Sequence, residues 1–145
     1  MAKINLDKNN KSPSCETFID SEIIEKDDGV ICIHGRDLEK GEYPIYSGVA
    51  NLYRGVMNAA GGYLVLTNQR FLFIDHGLNL NFEAKPEEES IYFTEVADVE
   101  SKTVMLLSKR IVVKKKDGTN QEYVVWNLKK WMAVIKNVLQ NIYLG

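Results

Sequence analysis

The sequence predicts a mainly β domain that ends in one amphipathic helix. The first observation is residues 63–74, where two short runs of β-branched and aromatic residues flank the polar tetrad Thr67-Asn68-Gln69-Arg70. Such runs predict two antiparallel strands joined by a tight turn. The second observation is an apolar stripe near the end of the chain, at steps of three and four: Leu128, Trp131, Met132, Ile135, Val138, Leu139 and Ile142. A helix this one-sided must cover a surface, so we expect it to pack on the preceding sheet.

Short apolar runs between turn residues predict the remaining strands. We place strands at residues 45–53, 63–75 (the hairpin), 90–93, 103–107, 110–116 and 122–126. A glycine-rich loop is expected at residues 54–62 and a long connection at residues 76–89. The dipeptide Asp117-Gly118 predicts a tight turn before the last strand.

The first 41 residues are predicted to be separate from this domain, which we place at residues 42–145. Residues 1–13 are polar and predict a flexible arm. Ser14 is suited to cap a short helix that ends near Gly29. Its apolar face would be formed by Cys15, Phe18, Ile19 and Ile23. The apolar run at residues 30–33 predicts either a strand or a buried turn, and periodicity does not separate the two.

Composition bounds the function. The chain has 145 residues, of which 45% are hydrophobic and 26% charged, as in ordinary soluble domains. Its net charge of −2 excludes a generally basic nucleic-acid binder, so no nucleic acid partner is expected. The sequence has neither a membrane-spanning apolar run nor a signal-like start. We therefore expect a cytoplasmic protein, with a peripheral membrane location as the alternative. Cys15 and Cys32 are expected to be small hydrophobic residues in a reducing compartment, with a disulfide as the alternative.

Several segments resemble one family. Residues 62–73 resemble the pattern Gly-x-Leu-x-Leu-Thr-Asn-x-Arg, followed by apolar residues, of GRAM domains. Residues 95–99 are similar to that family's Asp-Ile-x-x-Val segment, and residues 116–131 resemble the closing hairpin and helix start of bacterial GRAM-like proteins. The resemblance implies the pleckstrin-homology-like (PH-like) superfold, a barrel of about seven antiparallel strands capped by one helix. It also implies lipid or protein binding, usually without catalysis.

The sequence contains few features that are typical of an active site. No phosphate-binding loop, zinc-protease pattern or nucleophile elbow occurs, and His34 and His76 are far apart in the sequence. Adjacent carboxylates at residues 87–89 suit a solvated loop better than an acid/base pair. We expect neither an enzyme nor a bound cofactor or metal.

Two groups of residues are candidates for contact with anionic lipid. The first is the glycine-rich loop, where Arg54 could bind a headgroup while Val56 and Met57 dip into the bilayer. The second is a basic cluster in which Arg110, Lys114 and Lys116 would share one face of a strand. At roughly 1 kcal/mol for each cation, these charges alone would give only weak membrane binding. A solvated strand edge is the alternative for the basic cluster, and packing over the barrel end is the alternative for the two loop residues.

A protein–protein docking or adaptor role is the leading prediction, with a peripheral membrane module as the alternative. A partner segment could lie beside the C-terminal helix or along an open sheet edge. The predicted N-terminal helix is expected to pack on its own barrel, although a swapped homodimer is a further possibility. Trp126 and Trp131 are expected to be core and helix anchors.

Overall fold

The computed structural model describes residues 4–5, 23–55, 58–75 and 86–144. The chain divides into two compact units, Met1–Pro44 and Ile45–Gly145. The predicted domain boundary after residue 41 stays a prediction.

The first unit contains a small four-stranded sheet. Its strands, in spatial order, are β1 (Ile4–Asn5), β2 (Ile23–Glu25), β3 (Ile31–Ile33) and β4 (Arg36–Asp37). The first pair is parallel and the other two pairs are antiparallel. A turn with Gly29 at φ +83° joins β2 to β3. The Lys26 ammonium donates to Asp37 Oδ2 at 2.9 Å, and this contact raises the lysine pKa.

The prediction of an N-terminal helix is wrong for the part of it that the structure describes. Residues 23–25 form a strand because Ile23 and Ile24 pair with the equally β-prone Ile33 and Cys32. Most of the predicted helix, including Phe18 and Ile19, lies outside the described residues. So does most of the predicted arm, apart from the short strand β1. The open question at residues 30–33 is settled as a strand, β3.

The expectation for the cysteines is also wrong. Cys32 is disulfide-bonded and buried beside Ile24. The sequence has one other cysteine, Cys15, which lies outside the described residues. A bonded Cys32 removes the support that reduced cysteines would have given to a cytoplasmic location, which stays a prediction.

The second unit consists of a seven-stranded antiparallel sheet and a long helix. Its elements are β5 (Pro44–Gly55), β6 (Asn58–Thr67), β7 (Arg70–Asp75), α1 (Pro86–Glu89), β8 (Ser90–Tyr92), a 3₁₀ turn (Phe93–Glu95), β9 (Val96–Val104), β10 (Ser108–Lys115), β11 (Asn120–Val125) and α2 (Leu128–Leu144). The spatial order of the strands is β8-β7-β6-β5-β11-β10-β9. Among the described residues no pairing joins the two end strands, so the sheet is open rather than a closed barrel.

The tetrad at residues 67–70 makes the predicted tight turn through the hydroxyl of Thr67. Its Oγ1 accepts from the backbone N–H groups of Gln69 and Arg70, both at 3.0 Å, and donates to the Arg70 carbonyl at 3.3 Å. A buried hydroxyl that satisfies three backbone groups fixes the register of β6 and β7. The hairpin prediction is confirmed.

Two glycines are required by the backbone. A Cβ on Gly62 would overlap the Ile74 carbonyl oxygen, so only glycine fits where β6 pairs closely with β7. Gly118 has φ +91° in the turn between β10 and β11, where Asp117 Oδ1 accepts from the Thr119 N–H at 2.8 Å. The Asp117-Gly118 turn is confirmed. The Thr119 contacts lower the pKa of Asp117.

The helix α2 covers one face of the sheet, as predicted. Trp131 and Ile135 are fully buried in the main core, and other members of the stripe pack against it. Phe71 and Phe93 meet edge to face with centroids 5.6 Å apart, and Phe73 stacks on Tyr123 at 6.2 Å. These contacts place a continuous apolar core between the sheet and the helix.

Two boundaries differ from the predictions. Residues 54–55 and 58–62 belong to the neighbouring strands β5 and β6 rather than to a glycine-rich loop. The strand expected at residues 103–107 ends at Val104, and Met105 and Leu106 turn the chain with φ values of 55° and 67°.

Candidate functional site

The surface most suited to binding is an apolar groove beside the start of α2. The pairing of β5 with β11 ends at Ala50 and Val125, so residues 45–49 extend past the end of β11. There the chain leaves the sheet through Asn127, whose φ of 58° redirects it into the helix. The result is a cavity of about 460 Å³, which we call the edge groove, lined by Tyr46, Ser47, Gly48, Val49, Trp126, Asn127 and Trp131.

The base of the edge groove is rigid. Trp131 is buried there, and the ring of Tyr46 meets it edge to face with centroids 4.6 Å apart. Gly48 lies against the indole, since a Cβ at this position would be in van der Waals contact with Trp131 Cζ2, at 3.4 Å. An aromatic base held by the core is preorganised and loses little entropy when a ligand binds.

The rim of the edge groove is exposed and apolar. Trp126 is 60% exposed, and Val49 is exposed as well. The sequence-based assignment of Trp131 as an anchor is confirmed, whereas that of Trp126 as a core anchor is wrong. Alternation along β11 could have found this, since Tyr123 and Val125 are buried and the next residue is exposed.

Arg54, the first candidate lipid contact, is engaged with a carboxylate. Its Nε and a terminal nitrogen lie 3.0 Å and 2.9 Å from the two oxygens of Glu88. This bidentate pair is largely buried, and Gln121 Nε2 donates to the Glu88 carbonyl at 2.8 Å. Glu88 is therefore not a solvated loop carboxylate. Val56 and Met57, the other candidates of this group, lie outside the described residues.

Arg110 is the most enclosed member of the predicted basic cluster. Its guanidinium contacts Glu122 Oε1 at 3.0 Å and Ser108 Oγ at 3.1 Å, and lies 3.9 Å from the ring centroid of Tyr53. The residue is only 8% exposed. A guanidinium held between a carboxylate and an aromatic ring has little surface left for a lipid headgroup.

Lys114 of the predicted cluster, and Lys102 on β9 nearby, also have carboxylate neighbours. Lys114 Nζ lies 3.0 Å from Glu100 Oε1, and Lys102 Nζ lies 3.7 Å from Glu122 Oε2. Lys116 is in the turn after β10, beyond a register shift at Lys114 and Lys115, so strand alternation does not place it beside Arg110. We call the paired residues on β9, β10 and β11 the charged face: Glu100, Lys102, Arg110, Lys114 and Glu122.

The turn between β9 and β10 carries the most exposed apolar side chains described in the chain. Met105, Leu106 and Leu107 are 86%, 89% and 88% exposed. We call these three residues the hairpin tip. The sequence assigned them to a strand because they include no glycine, asparagine or aspartate to mark a turn.

Histidine and carboxylate side chains form no metal-binding cluster in the part of the chain that the structure describes. His34 lies in the turn between β3 and β4, and His76 lies outside the described residues. Within those residues no set of three His, Cys, Asp or Glu side chains could hold a metal ion. Burial raises the pKa of Tyr123, and the Gln121 amide contacts its hydroxyl at 3.3 Å. The described helices include none long and apolar enough to cross a bilayer.

Comparison with known proteins gives matches to solved structures but none to family models or curated proteins. No protein-family model matches the chain. A search of curated proteins gives no match either. Solved structures do match: the C-terminal domain of an unknown protein from Leishmania infantum is similar with a TM-score of 0.54 and 19% identity, over 68% of this chain and 86% of that one.

Two fragments of Rho guanine-nucleotide exchange factors are also similar. The linker-DH/PH domains of p115-RhoGEF match with a TM-score of 0.55 and 14% identity over 72% of this chain. The DH/PH fragment of PDZRHOGEF, solved in complex with human RhoA, matches with a TM-score of 0.52 and 12% identity over 70% of this chain. The chain spans about a third of either fragment, 31% and 30% respectively. The fold is therefore PH-like, mainly antiparallel β with one C-terminal helix, and identities this low show the fold alone.

Proposed function

We propose that this chain is a noncatalytic docking module, of the GRAM-like kind, which binds a segment of a partner protein in the edge groove. The observation that carries the proposal is the contrast between a buried, fixed base and an exposed apolar rim. Trp131 is immobilised in the core, while Trp126 and Val49 remain open to solvent. Exposed aromatic residues around a preformed cavity are typical of surfaces that gain energy by burial.

The shape of the edge groove favours an extended segment with apolar side chains. Its volume of about 460 Å³ lies within the roughly 300–1,000 Å³ of ordinary ligand pockets. One wall is a strand that continues past its neighbour, and a peptide lying along it would alternate side chains toward and away from the cavity. A large aliphatic or aromatic side chain would face Trp131.

The fold supports docking in a general way. A PH-like neighbour is found in a fragment whose structure is a complex with RhoA, so the architecture is present in a protein that assembles with another. The edge groove makes the proposal specific, because it is a surface of this chain and not a property of its structural neighbours.

The charged face supports membrane docking poorly. Its predicted contact residues Arg110 and Lys114 already have carboxylate partners, and so does Arg54. Neutralised cations offer less than the roughly 1 kcal/mol that a lysine or arginine near an anionic surface contributes. The peripheral membrane alternative therefore depends on other residues.

Selection of peptides tests the proposal. A display library of linear peptides is selected against the whole chain, and the best peptide is titrated into labelled protein while backbone NMR shifts are followed. We expect shifts at Gly48, Val49 and Asn127. Val49→Asp should weaken binding about tenfold or more, since a buried carboxylate would lack a partner.

Ile142→Asp is the matched control, because Ile142 is a similarly exposed apolar residue on α2. It should bind the peptide as the unmodified chain does. Selected peptides that shift residues elsewhere, or equal losses in the two variants, would overturn the edge groove as the docking site.

A further inference from the structure

The hairpin tip is a compact apolar projection. Met105, Leu106 and Leu107 are consecutive and each is more than four-fifths exposed. Single exposed leucines are common, but three adjacent large apolar side chains at the end of a hairpin form a patch. Such a patch indicates a contact, because water is a poor environment for it.

The backbone of the tip is unfavourable for the residues it contains. Met105 and Leu106 both adopt left-handed φ values, which side chains other than glycine and asparagine rarely take. The neighbouring hairpin between β10 and β11 solves the same problem with Asp117-Gly118. The tip therefore has apolar side chains at two positions whose backbone would be better suited to asparagine and glycine.

Two lysines lie near the tip, one on each strand of the hairpin. Residues 101–109 contain Lys102 and Lys109 and no Asp or Glu. Lys102 Nζ lies 3.7 Å from Glu122 Oε2, and its side chain stays half exposed. Lys109 lies two residues after the tip and is exposed, and Lys102 lies on the opposite strand as the register partner of Arg110. An apolar end with lysines just behind it matches the layering of a bilayer surface, where acyl chains lie below anionic headgroups.

We propose that the hairpin tip inserts into an anionic membrane surface. The three tip side chains would enter the boundary of the acyl chains, and Lys102 and Lys109 would lie at headgroup level with their stems along the apolar layer. A bilayer is favoured over a protein because three consecutive exposed apolar side chains at the end of a hairpin can enter it together while the nearby lysines remain at headgroup level. The edge groove takes no part, so this proposal stands independently of peptide docking.

Vesicle co-sedimentation tests the insertion directly. The whole chain is mixed with phosphatidylcholine vesicles, with and without phosphatidylserine. We expect binding to the vesicles that contain phosphatidylserine. Met105→Asn with Leu106→Gly should reduce the partition coefficient by about a hundredfold or more, because each fully buried apolar side chain contributes about one to two powers of ten.

That double substitution creates a turn sequence suited to the observed backbone, so the variant should fold at least as well as the unmodified chain. Lys109→Gln should lower anionic vesicle binding about fivefold. The control Ile142→Asn removes another exposed apolar side chain and should leave binding unchanged. Val49→Asp should also leave it unchanged, which separates failure of the tip from failure of the groove.

Three results would overturn the proposal. The first is no binding of the unmodified chain to either vesicle, which would indicate that the tip contacts a protein instead. The second is equal binding of the Asn-Gly variant. The third is equal binding to neutral and anionic vesicles.

Discussion

The charged face and the edge groove lie in the same unit and share β11, yet one is satisfied and the other is open. On the charged face, Glu122 accepts from Arg110 and lies near Lys102. At the end of the same strand, Trp126 is 60% exposed above the cavity. Lys102, Arg110 and Lys114 are thus paired with carboxylates, whereas the apolar rim formed by Trp126 and Val49 is exposed. A cluster of cations therefore identifies a binding surface only after its neighbours on adjacent strands are known.

Truncation of the two tryptophans should affect stability very differently at the base and at the rim of the edge groove. Trp131→Ala should destabilise the unit by about 3–5 kcal/mol, as large core aromatics do when truncated. Trp126→Ala should change the free energy of unfolding by less than about 0.5 kcal/mol, because its ring is largely in water already. Urea denaturation of both variants measures the contrast. Similar losses would mean that Trp126 is structural and that the rim is not available for binding.

The next effect tests whether the charged face is internally balanced. Glu122→Gln leaves the enclosed guanidinium of Arg110 without a carboxylate, and should cost about 2–3 kcal/mol. We place it below the range for fully buried pairs because Glu122 is 21% exposed. Glu100→Gln is the control, since its pair with Lys114 is half exposed and should contribute less than about 0.5 kcal/mol. A neutral result for Glu122→Gln would mean that Arg110 is not held as described.

Alkaline pH tests the core beneath both regions. Burial raises the pKa of Tyr123 above its ordinary value of about 10, so the folded state holds the phenol proton more tightly than the unfolded state does. This contribution is fully present below about pH 10 and is lost as pH rises further, by at most about 1.4 kcal/mol per pH unit. The melting temperature of Tyr123→Phe should therefore fall less steeply above pH 10 than that of the unmodified chain. Parallel curves would show that Tyr123 does not couple folding to pH.

The smallest effect concerns Lys114, which the sequence placed in a lipid contact. Seven residues of strand at about 3.3 Å each put it roughly 23 Å from Leu107, beyond the Debye length of about 8 Å in physiological salt. Lys114→Glu should therefore leave vesicle binding within about twofold of the unmodified chain. A loss as large as that expected for Lys109→Gln would restore the charged face as the membrane contact.

Local patterns predicted the fold well. The Thr67 turn, Asp117-Gly118 and the stripe of α2 depend on residues close together in the sequence, and all are confirmed. The strand at Ile23–Glu25 was missed because its pairing with Ile31–Ile33 outweighs a helical spacing of apolar residues. The hairpin tip was missed because its turn lacks turn-forming residues.

The candidate sites were harder to predict, because they depend on distant parts of the chain. Arg54 meets Glu88 from 34 positions away, and Arg110 meets Glu122 from the adjacent strand. Sequence shows the cations and the carboxylates but not their pairing. The groove lies where β5 extends past the end of β11. This difference in strand ends is known only once the pairing register of the two strands is known.

The most direct measurement compares the edge groove with the charged face inside cells that make the protein. A photo-crosslinking amino acid is placed at position 49 in one variant and at position 114 in another, and crosslinked products are identified by mass spectrometry. We expect a discrete protein adduct from position 49, which disappears when Trp126→Ala is added, and none from position 114. A partner captured from position 114 but not from position 49 would contradict docking in the edge groove.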